Sequence, residues 1–172
     1  MRESSKCCSR QWRAALMLQL ILPTDVQTAL TCALTHAGVR ECGGVLLGEH
    51  VGIDQFLVRM VTMQRPGTVT SFVRNLSGVA TSIKRFCAKH GNDFRRFNYL
   101  GEWHSHPSFS VQPSSTDHCS MLDIVTTPQV GANFVVLLII KLDASGQLEG
   151  SAHTYLPDGR YGCSTLVFES RR

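Results

Sequence analysis

Two histidines separated by a single residue, His104 and His106, are the side chains of this sequence best placed to bind a metal ion. They end the segment 98–106, which reads as a strand. Side chains at positions i and i+2 of a strand project from the same face, so the two imidazoles can converge on one cation. The pair alone does not establish a site, because histidines at this spacing also occur as ordinary polar surface.

A carboxylate follows the histidine pair at a short interval. Pro107 ends the strand, and the polar loop 108–113 leads to a helix that begins near Ser114 or Ser115 and carries Asp117 in its first turn. The pattern Ser-x-x-Asp is also that of a helix capping box, which needs no ligand. Together with the two imidazoles, however, Asp117 completes a set of three protein ligands that leaves the fourth position of a tetrahedral zinc ion open to water.

Water activated by such a zinc ion needs a base, and Glu41 is the candidate. Glu41 stands before Cys42, Gly43 and Gly44, at the start of an apolar strand, where the two glycines allow a backbone or a substrate to approach closely. Without the histidines, Glu41 would be interpreted as an exposed carboxylate in a loop between a helix and a strand. We interpret Cys42 as a packing residue.

These residues together resemble the JAMM signature of the JAB/MPN metalloprotease family. The signature is carried here by Glu41 before Gly-Gly-Val-Leu-Leu-Gly, by His104-Ser105-His106-Pro107, and, after six residues, by Ser114-x-x-Asp117. The match covers about residues 16–169 in the order of the elements. The resemblance implies that His104, His106 and Asp117 bind one zinc ion per chain. It also implies that Glu41 deprotonates the zinc-bound water and that Ser114 donates a hydrogen bond to the developing oxyanion.

The residues beside the motif, 101–103 and 113–117, look closest to bacterial members of the family. Those members are similar to deconjugating peptidases encoded beside ubiquitin-activating and ubiquitin-conjugating homologues in antiphage (CBASS) and related operons. The resemblance implies hydrolysis of the amide bond after the C-terminal glycine of a ubiquitin-like protein, or of its conjugate with a target lysine. We expect the C-terminal tail of that partner to add to a sheet edge near residues 67–74.

Other functions are compatible with parts of the pattern. Two histidines and one carboxylate also suit a non-heme iron oxygenase, but Glu41 and Ser114 would then have no role. A zinc deaminase would need a helix-borne Cys-x-x-Cys pair, which is absent from the sequence. A cysteine–histidine nucleophile stays open, since such partners meet only in the fold. A non-catalytic MPN scaffold and a peptidase acting on a sulfur-carrier protein are further alternatives.

The elements that must position these residues predict an α/β protein with the MPN (JAB) fold, a mixed curved β-sheet flanked by helices. We expect a flexible leader over residues 1–13 and one domain over residues 14–172. Hydrophobic periodicity predicts helices over residues 24–37, with Thr24 and Gln27 as a capping box, 79–90, and from 114 or 115 to 127. Strands are predicted over residues 43–47, 56–63, 98–106, 134–142, 147–156 and 165–169, with an edge strand over 14–22 and a loop over 65–78.

Composition limits the setting of the protein. The chain has 172 residues, 43% of them hydrophobic, and a net charge of +4, part of which lies in the two tails. The basic residues show no pattern typical of nucleic-acid binding. Seven cysteines without regular spacing favour a reducing cytoplasm over a disulfide framework. No apolar run approaches the roughly 18 residues of a membrane span, so we expect neither a nucleic-acid nor a membrane partner.

Overall fold

A computed structural model describes residues 18–63 and 76–170 of the chain. These residues form a single α/β domain, as predicted. The elements in chain order are β1 (Gln19–Leu22), α1 (Thr24–Ala37), β2 (Gly43–Gly52), β3 (Gln55–Val61), α2 (Leu76–Lys89), β4 (Phe97–Ser105), α3 (Ser115–Thr126), β5 (Val135–Leu142), β6 (Leu148–Tyr155) and β7 (Tyr161–Phe168).

The sheet closes on itself into a barrel, so the prediction of a mixed curved sheet with an edge strand is wrong in this respect. The strand order is β1-β3-β2-β4-β5-β6-β7, and β1 pairs in parallel with both β3 and β7. Leu20 of β1, for example, lies opposite Phe56 on one side and Leu166 on the other. The segment predicted as an edge strand therefore has neighbours on both sides. Alternation of apolar residues reports the faces of a strand but not its neighbours, so closure leaves no local signal in the sequence.

Strand β5 confirms the prediction of a central strand covered on both faces. Its side chains alternate between two apolar clusters, one formed with α1 and the other with α2 and α3. Six consecutive residues of β5 are buried: Val135, Val136, Leu137, Leu138, Ile139 and Ile140. Burying an aliphatic side chain of this size contributes about 1.5–3 kcal/mol, so this strand is a main source of the stability that holds β4 beside it in register.

Helix α1 begins where it was predicted to begin, but its cap differs from the prediction. Pro23 is the N-cap residue and provides no side-chain hydrogen bond. The Gln27 side chain does not close a capping box and instead donates to the backbone carbonyls of Leu22 and Glu169. A Gln at this position thus ties the start of the helix to the end of β7, a partner far away in the sequence.

Antiparallel pairing of β2 with β4 brings the two ends of the proposed signature together. Gly43 lies opposite His104 in this pairing, and β4 pairs in parallel with β5 on its other side. A Cβ atom at Gly44 would overlap the carbonyl of Thr62. Gly101 has a φ of +149° and lies so close to Val136 that a side chain there would overlap its backbone. Close backbone packing around the histidine-bearing strand therefore requires glycine at these two positions.

Some predictions fall on residues that the structure does not describe. The leader over residues 1–13 and the tail-binding edge near residues 67–74 both lie outside residues 18–63 and 76–170. The loop predicted over residues 65–78 is too long at its end, because α2 already begins at Leu76. In the described part of the chain, none of the helices combines the length and the apolar content needed to cross a membrane.

Candidate metal centre

The two histidines converge at the carboxyl end of β4. His104 is buried and is the second-last residue of β4, and His106 is the first residue after the strand. The backbone N–H of His106 donates to the carbonyl of Ile140 in β5. The Nε2 atoms of the two rings are 3.1 Å apart. The two rings therefore converge, as their spacing on the strand predicts, and the hydrogen bond to β5 fixes the backbone of His106.

Asp117 divides its two carboxylate oxygens between a structural contact and the histidines. Its Oδ2 accepts hydrogen bonds from the backbone N–H and the hydroxyl of Ser114, each 2.7 Å long. Its Oδ1 lies 3.6 Å from Nε2 of His104. Asp117 can therefore serve both as part of the helix capping box and as a metal ligand, because one carboxylate oxygen closes the box and the other faces the imidazoles.

The three donor groups form a cluster of the size a metal ion requires. One ligand atom from each of His104, His106 and Asp117 can be chosen so that all lie within 4.8 Å of one another. Ligands of a tetrahedral zinc ion at about 2.0–2.1 Å lie about 3.4 Å apart. The measured separations of 3.1 Å and 3.6 Å bracket that value. Two nitrogens and one oxygen are also a common donor set of catalytic zinc, so the residues fit this ion.

The protonation states of the rings suit metal binding. Nδ1 of His106 lies 2.8 Å from the carbonyl oxygen of Ser110 and must carry the ring proton in order to donate to it. Its Nε2 atom then offers a lone pair to the centre of the cluster. Burial lowers the pKa of His104, although the nearby Asp117 opposes this effect. A neutral imidazole is the form that a metal ion binds.

Glu41 lies just before β2, the strand that pairs with the histidine-bearing β4. The backbone N–H of Ser105 donates to the carbonyl of Cys42 over 2.8 Å, and the N–H of Cys42 donates to the Ser105 hydroxyl over 2.9 Å. Glu41 precedes Cys42 and lies just outside the paired residues of β2. Its side chain is exposed, whereas Cys42 is buried in the apolar core, as expected for a packing residue. The fold thus places an exposed carboxylate one residue from the backbone that bonds to Ser105.

Ser114 is the N-cap of α3. Its hydroxyl oxygen accepts from the backbone N–H of Asp117 over 3.1 Å and donates to the carboxylate of the same residue. The backbone N–H of Ser114 donates to that carboxylate as well. The hydroxyl proton can therefore turn toward another acceptor while the backbone contact keeps the cap in place. Ser114 is exposed, so such an acceptor can reach it.

Helix α3 is fixed to the sheet by His118, the residue after Asp117. Nδ1 of His118 shares a hydrogen bond of 2.8 Å with the hydroxyl of the fully buried Tyr155, and the two ring centroids of His118 and Tyr161 are 4.5 Å apart. Burial lowers the pKa of His118. Its role is therefore to anchor the turn that carries Asp117. The sequence gives no signal of this contact, because the tyrosines lie on β6 and β7.

A second carboxyl group lies beneath the cluster on the same strand. Glu102 precedes His104 by two residues in β4, so its side chain lies on the same face, opposite Val45 of β2. Burial raises the pKa of Glu102 to about 7. At neutral pH this group is therefore only partly ionised, whereas an ordinary glutamate is fully ionised.

Solved structures support the fold. A protein of Desulfitobacterium hafniense, solved in solution, superposes with a TM-score of 0.60 at 20% identity, covering 88% of this chain and 94% of that protein. A protein of Salinibacter ruber, also solved in solution, superposes with a TM-score of 0.50 at 18% identity, covering 88% and 92% of the two chains. At such identities the similarity concerns the fold alone.

Two curated relatives carry the name CD-NTase/cGAS isopeptidase. The one from Enterobacter hormaechei subsp. hoffmannii (strain UCI 50) is 29% identical over 137 residues, which are 77% of this chain and 73% of the relative. The one from Escherichia coli (strain TW11681) is 37% identical over 98 residues, which are 54% of this chain and 60% of the relative.

The match to a protein family covers most of the chain. Residues 23–150 match the family described as prokaryotic homologs of the JAB domain. The matched region contains the histidine pair, Asp117, Ser114 and Glu41, and it contains the pairing of β2 with β4. The chain belongs to the family of prokaryotic homologues of the JAB domain.

Proposed function

We propose that the protein is a zinc-dependent isopeptidase that hydrolyses the amide bond after the C-terminal glycine of a ubiquitin-like protein. The observation that carries the proposal is the cluster of His104, His106 and Asp117. An exposed carboxylate, Glu41, precedes the strand that pairs with the histidine-bearing β4. Membership of the JAB family and the names of the two curated relatives support peptide-bond hydrolysis as the reaction.

In this proposal the three ligands hold one zinc ion per chain, which when bound acts as a Lewis acid and lowers the pKa of water. Glu41 accepts a proton from the attacking water and passes it to the leaving amine. Ser114 turns its hydroxyl from Asp117 toward the carbonyl oxygen, where negative charge develops. The protonated Nδ1 of His106, held by the Ser110 carbonyl, keeps the opposite nitrogen of that ring available to the ion.

The surroundings of the cluster suit a flexible peptide tail. Phe109 is 67% exposed, and its ring stands edge-on to that of His106 with 6.4 Å between centroids. Met63 is half-exposed where the chain leaves β3, and the residue before it, Thr62, contacts Gly44 of β2. We infer that Phe109 contacts apolar groups of the tail before the terminal glycine. A glycine at the cleaved bond needs little space, and His104 lies close to the backbone of β2 at Gly43.

The partner follows from the same proposal. The substrate is a ubiquitin-like protein or its conjugate with a target lysine, and by similarity to the two named relatives the target is a CD-NTase/cGAS protein. Ubiquitin-activating and ubiquitin-conjugating homologues from the same operon would then supply the conjugate. The natural setting of such a reaction would be antiviral defence in the bacterial cytoplasm.

Two other candidates predict different outcomes of one experiment. The purified protein is incubated with a lysine-linked conjugate of a ubiquitin-like protein, and separately with a sulfur-carrier protein extended by a short peptide. We expect cleavage of the conjugate after the terminal glycine, observed as the mass of the released protein, and loss of cleavage with a chelator. Cleavage of the sulfur carrier alone would favour that substrate, and a protein inert toward both, with or without added zinc, would favour a scaffold.

Replacing Ser114 tests its proposed place at the oxyanion. We expect Ser114→Ala to lower kcat about 100-fold, the usual effect of losing one oxyanion donor. The lost cap should cost about 1 kcal/mol of unfolding free energy, while zinc affinity is retained because the backbone N–H still donates to Asp117. Ser115→Ala, at the exposed first residue of the same helix, is the matched control. An unchanged kcat in Ser114→Ala would remove this serine from the mechanism.

A further inference from the structure

The loop of residues 107–113 joins the two halves of the proposed metal site and controls one of the ligands. It supplies the Ser110 carbonyl, which accepts a hydrogen bond from the protonated Nδ1 of His106. If this carbonyl moved, the ring could place its proton on the other nitrogen, which faces His104 at 3.1 Å, and the lone pair for a metal ion would be lost. The position of the loop therefore matters to the chemistry of His106.

The loop has little support of its own. It contains no helix or strand, and residues 108–110 and Gln112 are exposed. Support comes mainly at Val111, whose side chain packs against the apolar cluster beneath α3 and whose carbonyl accepts a hydrogen bond from the Ser151 hydroxyl of β6. The Lys141 ammonium group adds a long contact of 3.5 Å to the carbonyl of Phe109. Ser151 therefore holds the residue next to Ser110, and Val111 has a second support in the apolar cluster.

Ser151 is itself held by a chain of hydrogen bonds with a fixed direction. Its hydroxyl must donate to the Val111 carbonyl, so its oxygen accepts from Nε2 of His153 over 2.9 Å. The other ring nitrogen, Nδ1, is then the acceptor for the Cys163 thiol at 3.8 Å. His153 is buried, and burial, followed by the nearby His118, lowers its pKa to about 4. At neutral pH the ring therefore carries the single proton that this chain requires.

We propose that Ser151 and His153 are positioning residues of the metal site, which fix the loop through the Val111 carbonyl and thereby keep Nδ1 of His106 bonded to the Ser110 carbonyl. The inference rests on the proposed metal site and concerns residues outside the signature. Neither residue touches the ligands directly. Their effect passes through one loop, and groups that orient a metal-binding histidine in this way commonly change metal affinity 10–100-fold.

The chain offers a matched control on the same pair of strands. Ser164 of β7 exchanges a hydrogen bond of 2.6 Å with the buried Thr154 of β6. Ser164→Ala therefore removes one serine hydroxyl and leaves a buried polar partner, as Ser151→Ala does. It does so next to Ser151 but without a contact to the loop. A general loss of stability should affect both variants, whereas a loss of positioning should affect only Ser151→Ala.

The test uses the full chain and two readouts. In the metal-free protein, side-chain ¹H–¹⁵N spectra report which nitrogen of His106 carries the proton. We expect the Nδ1–H form in the wild type and in Ser164→Ala, and a mixture of forms in Ser151→Ala. Titration with Co²⁺ should give a dissociation constant raised about tenfold in Ser151→Ala only. Ser151→Thr, which retains the hydroxyl on a side chain suited to strands, should restore both values.

The outcomes separate this inference from the proposed function. The role of Ser151 would be overturned if Ser151→Ala showed the spectra and the Co²⁺ affinity of the wild type. It would also be overturned if Ser164→Ala lost as much Co²⁺ affinity as Ser151→Ala. A wild-type protein that binds no Co²⁺ would refute the metal site, and with it the inference. For His153, we expect His153→Gln, which keeps an N–H near the position of Nε2, to match the wild type, and His153→Leu to match Ser151→Ala. Equal behaviour of these two variants would overturn the role of His153.

Discussion

Glu41→Gln should lower kcat about 1000-fold while leaving zinc affinity unchanged. Glutamine has the shape of glutamate but cannot accept the proton of water, and general base catalysis typically contributes between about 100-fold and 10,000-fold. Glu41 is exposed just before β2 and does not belong to the ligand cluster of His104, His106 and Asp117. The measurement is a steady-state rate of cleavage of a ubiquitin-like conjugate, combined with zinc content per chain.

A second glutamate provides the control for this substitution. Glu169 is exposed just after β7, and its backbone, not its side chain, contacts α1. Glu169→Gln should therefore have the kcat of the wild type. An active Glu41→Gln protein would remove the base from the proposed mechanism, and a Glu41→Gln protein without zinc would make Glu41 a ligand instead.

Asp117→Asn should reduce zinc affinity by more than about 100-fold and abolish cleavage. The amide oxygen of asparagine can still accept the two hydrogen bonds from Ser114, so the cap of α3 is retained. The negative charge that faces His104 is lost, and with it one of the three metal ligands. Mutation of groups outside the ligand set typically weakens metal affinity 10–100-fold, and the loss of a ligand should weaken it more. The metal-free variant should remain within about 1 kcal/mol of the wild type in unfolding free energy.

Thermal unfolding separates the two roles of Asp117. Zinc that binds only the folded state raises the free energy of unfolding with the logarithm of its concentration divided by the dissociation constant. At a zinc concentration between the two dissociation constants, the melting temperature of the wild type should therefore rise and that of Asp117→Asn should not. Asp123→Asn, an exposed position of the same helix, should respond to zinc as the wild type does. If Asp117→Asn were stabilised by zinc to the same extent, the carboxylate would be a cap alone.

Local patterns predicted the parts of the site that local geometry determines. The spacing of His104 and His106 on one strand predicts that their rings converge, and they do so at 3.1 Å. The pattern Ser114-x-x-Asp117 predicts a capping box, and the box is present. In both cases the interacting groups lie within four residues of each other, so backbone geometry within one element is sufficient to place them.

Long-range contacts could not be predicted in the same way. The pairing of β2 with β4 sets Gly43 opposite His104 and joins strands about sixty residues apart, and only the family resemblance linked Glu41, just before β2, to the histidines. Closure of the barrel depends on β1, a strand of four residues, with neighbours on both sides. The contacts of Ser151 with Val111 and of Tyr155 with His118 join elements whose polar residues carry no periodic signal.

The most direct test of the central claim is the cleavage rate of metal-free protein as zinc is added in steps. The ligand cluster predicts no cleavage without metal, a linear rise in rate, and a plateau at one equivalent of zinc per chain, with the substrate cut after the terminal glycine. A metal-free protein that cleaves at the rate of the zinc-loaded protein, or a zinc-saturated protein that cleaves no conjugate, would contradict the account.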